Sequence, residues 1–323
     1  MIKKKIKILV AGGSGFIGTN ILKKISKNSN FQVFATLHKS KKYKRLSNVR
    51  YSKINLLNKK NCEKVTKNID IIIMSAAISS GAKIMANSPL AHLTPNLIMN
   101  SLMLEAAYKN NVKKFVFLSS NTVYPAKKNF MKETDSSYSF FEGYHIVAWM
   151  KKFTEEMCQM YSLKIKKKMQ TLIIRPGNLY GPFDKYDWKK SKVIAATVRK
   201  VYEKHSPILV WGDGKDLKDF LYIDDFVECL VKLIQKDTGI FNIFNIASGK
   251  NITIKELLKK LLKINNMKNW KIVFDKTKPS LIPVRRIDIS KIKRFIKWTP
   301  KTTIEQGLKN TIEWYKKNKN DYI

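Results

Sequence analysis

Apolar residues first gather at Ile6, Ile8, Leu9 and Val10, a run of strand length that breaks directly into glycines. Similar short runs recur at Gln32 to Leu37, Ile69 to Met74 and Phe115 to Leu118. Between and after them lie stretches with helical periodicity: Thr19 to Ile25, Pro95 to Asn110 and Tyr144 to Tyr161. Strands that alternate with helices in this way predict an α/β protein with a parallel sheet, because each parallel connection needs a crossover. Further helices are expected at Phe226 to Ile234, Ile254 to Ile264 and Ile304 to Tyr315. Asp224 and Asp225, just before the first of these, are expected to cap it. No repeat, low-complexity linker or Pro/Gly-rich hinge divides the chain.

The break after the first strand reads Gly12-Gly13-Ser14-Gly15-Phe16-Ile17-Gly18, a GxxGxxG spacing between strand and helix. Gly12 permits a tight turn, Gly15 lets backbone approach a pyrophosphate, and Gly18 lets the helix pack closely on the strand. In that context the motif predicts a Rossmann dinucleotide site, with Ser14, Phe16 and Ile17 presenting the N–H groups at the helix start. The second strand ends in Ala35-Thr36-Leu37-His38-Lys39-Ser40-Lys41. A carboxylate at this point would accept the 2′-hydroxyl of NAD; hydroxyl, imidazole and ammonium groups suit a 2′-phosphate instead. NADP is therefore the expected cofactor, with NAD the alternative. Asn55 and Leu56 are expected to edge the adenine, and the small residues Ala76 and Ala77 to let the cofactor cross the strand ends.

Charge sharpens this picture. The 323 residues carry 63 basic and 24 acidic side chains, a formal net charge of +39. Only seven are arginine (Arg45, Arg50, Arg175, Arg199, Arg285, Arg286 and Arg294), so 63 − 7 leaves 56 lysines, spread along the whole chain. A duplex reader would favour arginine and gather it on one face, so no nucleic-acid partner is expected. The lysines read as solvated surface that also favours polyanionic small ligands. The start lacks a cleavage-site pattern, and no stretch of about 18 apolar residues occurs, so a soluble cytoplasmic protein without a membrane partner is expected. Cys62, Cys158 and Cys229 are too scattered for a disulfide framework and read as buried thiols, while His38, His92, His145 and His205 show no metal-ligand spacing. No metal is expected.

The candidate chemistry lies after the strand Phe115 to Leu118, in Ser119-Ser120-Asn121-Thr122-Val123-Tyr124-Pro125, and at Tyr144 twenty residues beyond Tyr124. A serine at a strand end and a tyrosine opening a helix can share one sugar hydroxyl, the serine holding the oxygen and the tyrosine moving the proton while a nicotinamide cofactor moves a hydride. With these motifs the chain resembles the extended short-chain dehydrogenase/reductase (NAD-dependent epimerase/dehydratase) family, above all its GDP-fucose synthase branch. The likeness continues through Pro95-Asn96-Leu97 to Glu105-Ala106-Ala107, Arg175-Pro176-Gly177-Asn178-Leu179-Tyr180-Gly181-Pro182, Trp211-Gly212-Asp213-Gly214, Asp219 to Asp225 and Lys278-Pro279 to Asp288. The resemblance implies a doubly wound Rossmann domain (1–176 with about 220–247) and a smaller, interwoven substrate domain (177–219 and 248–323) for a nucleotide-diphosphate sugar, GDP-linked by likeness. It implies Ser120 and Tyr144 as catalytic residues, and a homodimer in which the helices at about Asn96 to Asn110 and Tyr144 to Tyr161 meet their mates. Asn178, Lys192, Trp211, Lys218, Arg285 and Arg286 fall at substrate-facing positions, Trp211 equally readable as a core residue.

Three departures narrow the expectation. The family's lysine four residues after the tyrosine is replaced by Ala148, which leaves Tyr144 nearer its ordinary pKa of about 10; Lys151, one turn on, either takes over or is solvated. The branch's acid/base pair for inversion at carbons 3 and 5, a cysteine and a histidine, is replaced by Thr122 and Lys192. The acidic pair of sugar dehydratases is missing as well, since Asn121 and Thr122 stand there. The expected activity is thus NAD(P)-dependent redox chemistry at carbon 4, as a 4-keto reductase or 4-dehydrogenase. A 4-epimerase with tightly held NAD and a non-catalytic nucleotide-sugar-binding relative are the alternatives.

Overall fold

The structure is a computed structural model that describes residues 4–39, 45–78, 88, 90–188, 191–267, 269–277 and 282–321. Ser40, Lys41, Lys278 and Pro279, singled out above, lie outside the described residues.

The first half alternates as expected: β1 (Ile6–Ala11), α1 (Phe16–Ile25), β2 (Phe31–Leu37), β3 (Val49–Lys53), α2 (Lys59–Thr66), β4 (Ile71–Met74), α3 (Leu90–Lys109) and β5 (Lys114–Leu118). After the short strand β6 (Phe130–Met131) come α4 (His145–Leu163), β7 (Gln170–Pro176), β8 (Asn178–Tyr180), α5 (Val193–Tyr202), β9 (Ile208–Trp211), β10 (Leu217–Lys218) and β11 (Phe220–Tyr222). The chain then forms α6 (Ile223–Gln235), β12 (Phe241–Ile246), β13 (Ile252–Thr253), α7 (Ile254–Ile264), β14 (Ile272–Asp275), β15 (Arg286–Ile287), α8 (Ser290–Ile296) and α9 (Ile304–Asn318).

Seven strands make one parallel sheet in the order β12-β7-β5-β4-β1-β2-β3. The order reverses between β1 and β4, and there the crevice at the carboxyl ends of the strands opens for a ligand. β4 and β5 are buried along their whole length because helices cover both faces, which is why they read as unbroken apolar runs. One face packs Ile21 and Leu22 of α1 and Phe226 and Leu230 of α6; the other packs Cys62 of α2, Met103 and Leu104 of α3 and Cys158 of α4. A separate core joins Val198 of α5, Leu257 and Leu261 of α7 and Leu308 and Tyr315 of α9. Among the described residues no helix is long and apolar enough to cross a membrane.

Several boundaries differ from the sequence reading. α1 begins at Phe16, since Phe16 and Ile17 already pack on the core beneath them. α3 begins at Leu90 and runs through Pro95, whose missing N–H costs one helical hydrogen bond that the rest of a 20-residue helix absorbs. Tyr144 precedes α4 as its N-cap, at the end of a 3-10 turn from Glu142. Asp224 and Asp225 are not caps: α6 starts at Ile223 and both lie in its first turn. The Asp225 carboxylate instead accepts from the backbone N–H groups of Lys301 (3.2 Å) and Thr302 (2.9 Å), tying the approach to α9 onto α6.

Candidate active site

At the β1–α1 turn, Gly12 has φ +82°, and a Cβ there would lie 2.6 Å from the Cα of Ala76 on the neighbouring strand end. A Cβ on Gly18 would lie 2.2 Å from the Gly12 carbonyl oxygen, so α1 can approach the turn only through a bare backbone. Gly15 is exposed and extended, no side chain caps α1, and the nearest atom to a Cβ on Gly15 is 3.4 Å away. Free N–H groups at a helix start, facing open space beside the sheet's switch point, fit a dinucleotide's pyrophosphate. Ser14, Phe16 and Ile17 are half-buried around this opening.

Thr36 departs from its expected place among the phosphate donors. It is buried, its hydroxyl oxygen accepts from Gly12 N–H (3.0 Å), and its carbonyl accepts from Gly13 N–H (2.9 Å). It braces the glycine turn. His38 and Lys39 remain exposed beyond the strand end, with no carboxylate beside them in the segment Leu37 to Lys39. Asn55 is exposed, and its side-chain oxygen accepts from Leu57 N–H (3.0 Å), while Leu56 is buried. Ala76 is half-buried and Ala77 exposed after β4, and the Ser75 hydroxyl donates to Ala11 O (2.6 Å).

Ser120 leaves β5 in extended conformation and caps a 3-10 turn, Asn121–Val123, its oxygen accepting from Thr122 N–H at 3.2 Å. α4 packs against that turn, bringing the helix headed by Tyr144 to the Ser120 segment. The turn is pinned from several sides. Asn121 donates to Pro176 O (3.0 Å), Tyr124 donates to Asn245 Oδ1 (2.5 Å), and Arg285 donates to the carbonyls of Pro125 (2.9 Å) and Tyr124 (3.2 Å). Beneath it Arg175 and Glu155, both fully buried, form a two-pronged pair at 2.9 and 2.6 Å, and Ser119 donates to the same carboxylate at 2.5 Å. Such a pair costs desolvation energy but fixes orientation through directional bonds. Glu155, Asn245 and Glu133 escaped the sequence reading. For Glu155 a signal existed, since positions 144, 148, 151 and 155 share one helical face.

Tyr144 is half-buried, and its phenol is pushed up to about 12 by burial and then by the Asp216 carboxylate. It is a neutral O–H donor at neutral pH. Asp216, also missed by sequence, forms an ion pair with Lys218 at 3.2 Å, and Lys218 donates its other bond to Ile282 O. Lys151 is not solvated: its ammonium turns inward, donates to Leu118 O (2.8 Å) and lies over the Phe117 ring (4.8 Å). Burial depresses its pKa to about 8, with Glu155 acting in the opposite sense. The Thr122 hydroxyl is buried, and among the described residues it has no hydrogen-bond partner.

The substrate-side residues are distributed unevenly. Asn178 is half-buried, its amide donating to Asp219 O (2.9 Å). Lys192 is exposed at the N-cap of α5, close enough to lower the buried Asp184 carboxyl against the upward push of desolvation. Trp211 is exposed at the end of β9, so it is not a core residue. Arg285 is buried and committed to the two loop carbonyls, which makes it a clamp on the Ser120–Pro125 segment. Arg286 donates to Lys128 O (3.3 Å) and stacks on Phe130 at the wall of a cavity of about 540 Å³ that includes none of Ser120, Thr122 or Tyr144.

The sequence profile of the NAD dependent epimerase/dehydratase family matches residues 8–247. The chain is 28% identical over 331 residues to a protein of Arabidopsis thaliana named putative GDP-L-fucose synthase 2, covering 98% of this chain and 94% of that one. It is 29% identical to GDP-L-colitose synthase of Yersinia pseudotuberculosis, covering 98% and 100% respectively. Among solved structures, UDP-glucose 4-epimerase of Thermotoga maritima in complex with UDP-glucose superposes with a TM-score of 0.85 at 25% identity, covering 97% of this chain and 99% of that one.

Proposed function

The chain belongs to the NAD dependent epimerase/dehydratase family, and we propose that it is an NADP-linked oxidoreductase acting at carbon 4 of a GDP-linked sugar, as a 4-keto reductase. The single observation that carries this reading is the placement of Tyr144 at the head of α4, the helix packed on the turn that Ser120 caps, with Ala148 where a lysine would favour the phenolate; burial pushes that phenol up to about 12. A neutral phenol is equipped to give a proton to a carbonyl oxygen and poorly equipped to take one from a hydroxyl at neutral pH. Ser120 offers its hydroxyl to the same oxygen, from a turn too firmly pinned to drift. The cofactor, when bound, supplies the hydride to carbon 4. Tyr144 releases its proton to the oxygen of that carbon, and Ser120 holds the oxygen as it becomes a hydroxyl.

Several features support the finer assignments. Gly12, Gly15 and Gly18 form the phosphate cradle, and exposed His38 and Lys39 favour a 2′-phosphate over a bare ribose. Thr122, a weak acid whose hydroxyl has no hydrogen-bond partner among the described residues, and exposed Lys192 do not make an acid/base pair for inverting carbons 3 and 5. The guanosine preference follows the relatives named for GDP-sugars. Lys218 is the cation for the diphosphate, which must compete with Asp216 for it. A homodimer through α3 and α4 accounts for the exposed apolar side chains Ile98, Trp149, Phe153 and Met160, Trp149 and Phe153 being stacked at 5.2 Å.

The second reading is a 4-epimerase with retained NAD, favoured by the Ser-x-Thr-Val-Tyr run from Ser120 to Tyr124 and the superposition on a UDP-glucose 4-epimerase. Denaturing the purified protein and identifying any released dinucleotide separates the two. Exchangeable NADP fits the reductase; one retained equivalent of NAD contradicts it and assigns the epimerase. Thermal shift against GDP, UDP, CDP and dTDP tests the base, because ligand binding to the folded state raises its melting temperature.

A further inference from the structure

Resting on the dinucleotide reading above, the lysine inside α4 acquires a specific duty. A dinucleotide whose pyrophosphate sits at the start of α1 and whose adenosine ribose lies by the end of β2 must run its other half the opposite way, over the ends of β4 and β5. Lys151 Nζ stands there, 2.8 Å from the carbonyl of Leu118, the last residue of β5. Ala148, one turn nearer the helix start and fully buried, presents only a methyl group on the same face. Helical side chains lean toward the N-terminus, so this gap lets the longer Lys151 reach back toward the strand ends.

The ammonium has three donors and spends one on Leu118 O. Its nearest acid, Glu155, is held by Arg175 and Ser119 and forms no ion pair with it. A half-buried cation turned inward with spare donors at a ligand crevice gains when acceptors arrive, and a ribose diol supplies two.

We propose that Lys151 donates hydrogen bonds to the ribose on the nicotinamide side of the cofactor, entering from a position one turn below Ala148. The test titrates wild type, Lys151→Met and Lys151→Arg with NADPH, and with 2′,5′-ADP, which lacks the nicotinamide riboside, by calorimetry. Lys151→Met is expected to bind NADPH about tenfold more weakly. Lys151→Arg should recover part of that loss, and 2′,5′-ADP should bind all three proteins alike. Unchanged NADPH affinity in Lys151→Met, or equal weakening toward 2′,5′-ADP, overturns the proposal and leaves Lys151 a structural cap on Leu118. Melting curves without ligand establish that each variant is folded; if Lys151→Met does not fold, Lys151→Arg alone decides, by binding NADPH within a few-fold of wild type or failing to. Wild type that binds neither NADPH nor NADH removes the dinucleotide reading itself, a result distinct from a wild type that binds and a Met variant that binds equally.

Discussion

The two halves of the crevice are built from different materials. On the side of β1 and β2 the site is backbone: bare glycines at 12 and 18, N–H groups at an uncapped helix start, and Thr36 bracing the turn from below. On the side of β4, β5 and α4 the candidate groups are side chains, Ser120, Tyr144 and Lys151, and the Arg175–Glu155 pair is buried beneath the Ser120 segment. A backbone site tolerates no added atom, whereas a side-chain site can move a functional group one turn along a helix and still deliver it. On the role proposed for Lys151, that difference accommodates the loss of the lysine at Ala148 while the glycine spacing is kept.

The comparison breaks most sharply at Tyr144. Tyr144→Phe should lower turnover about 10²–10⁴-fold while leaving NADPH and GDP affinity within a few-fold of wild type; unchanged turnover removes Tyr144 from the chemistry. On the backbone side, Gly18→Ala forces a Cβ into a space 2.2 Å from Gly12 O. It should cost about 3 kcal/mol or more in denaturant melts and abolish NADPH binding; a stable, binding Gly18→Ala would refute the rigid-turn description.

A third difference concerns pH. Native Lys151 is held at about 8, against 10.5 for a free lysine. Between those values the unfolded chain binds the extra proton, so this group adds stability as pH rises through the window. Wild-type stability relative to Lys151→Met should therefore rise from pH 8 to 10.5, by roughly 3 kcal/mol at most, as read from urea midpoints. A flat difference means that the ammonium is solvated. The smallest effect is expected for Thr36→Val, which leaves Gly12 N–H without its acceptor and should cost about 1 kcal/mol.

What was legible in the sequence follows the same division. The parallel sheet, the glycine turn, the helix Ile254–Ile264 and the last helix, read to Tyr315 and observed to Asn318, were readable because period and spacing determine them locally. The knot under Ser120 was not: Arg175, Glu155, Tyr124 and Asn245 come together only through tertiary folding, and nothing in their spacing pairs them. Asp216 likewise becomes visible near Tyr144 only once β10 is placed. Lysine abundance left Lys151 open between a site role and solvation, and it hid Lys114, buried and donating to Ile234 O and Lys236 O, among dozens of similar residues. Arg285 read as a substrate-facing residue because its type and position suit one, yet folding spends it on the carbonyls of Tyr124 and Pro125.

The central claim, reduction at carbon 4 with Tyr144 as proton donor, is tested most directly by following hydrogen. Incubation of the enzyme with a GDP-linked 4-keto-hexose and NADPH deuterated at the nicotinamide C4 should place one deuterium at carbon 4 of the sugar, read by NMR, with stoichiometric NADP formed. Run in D2O with unlabelled NADPH, carbons 3 and 5 should stay protonated. A 4-keto sugar left unreduced while a 4-hydroxy GDP-hexose is inverted at carbon 4 with no net NADPH consumed, or solvent deuterium at carbons 3 and 5, would contradict the account.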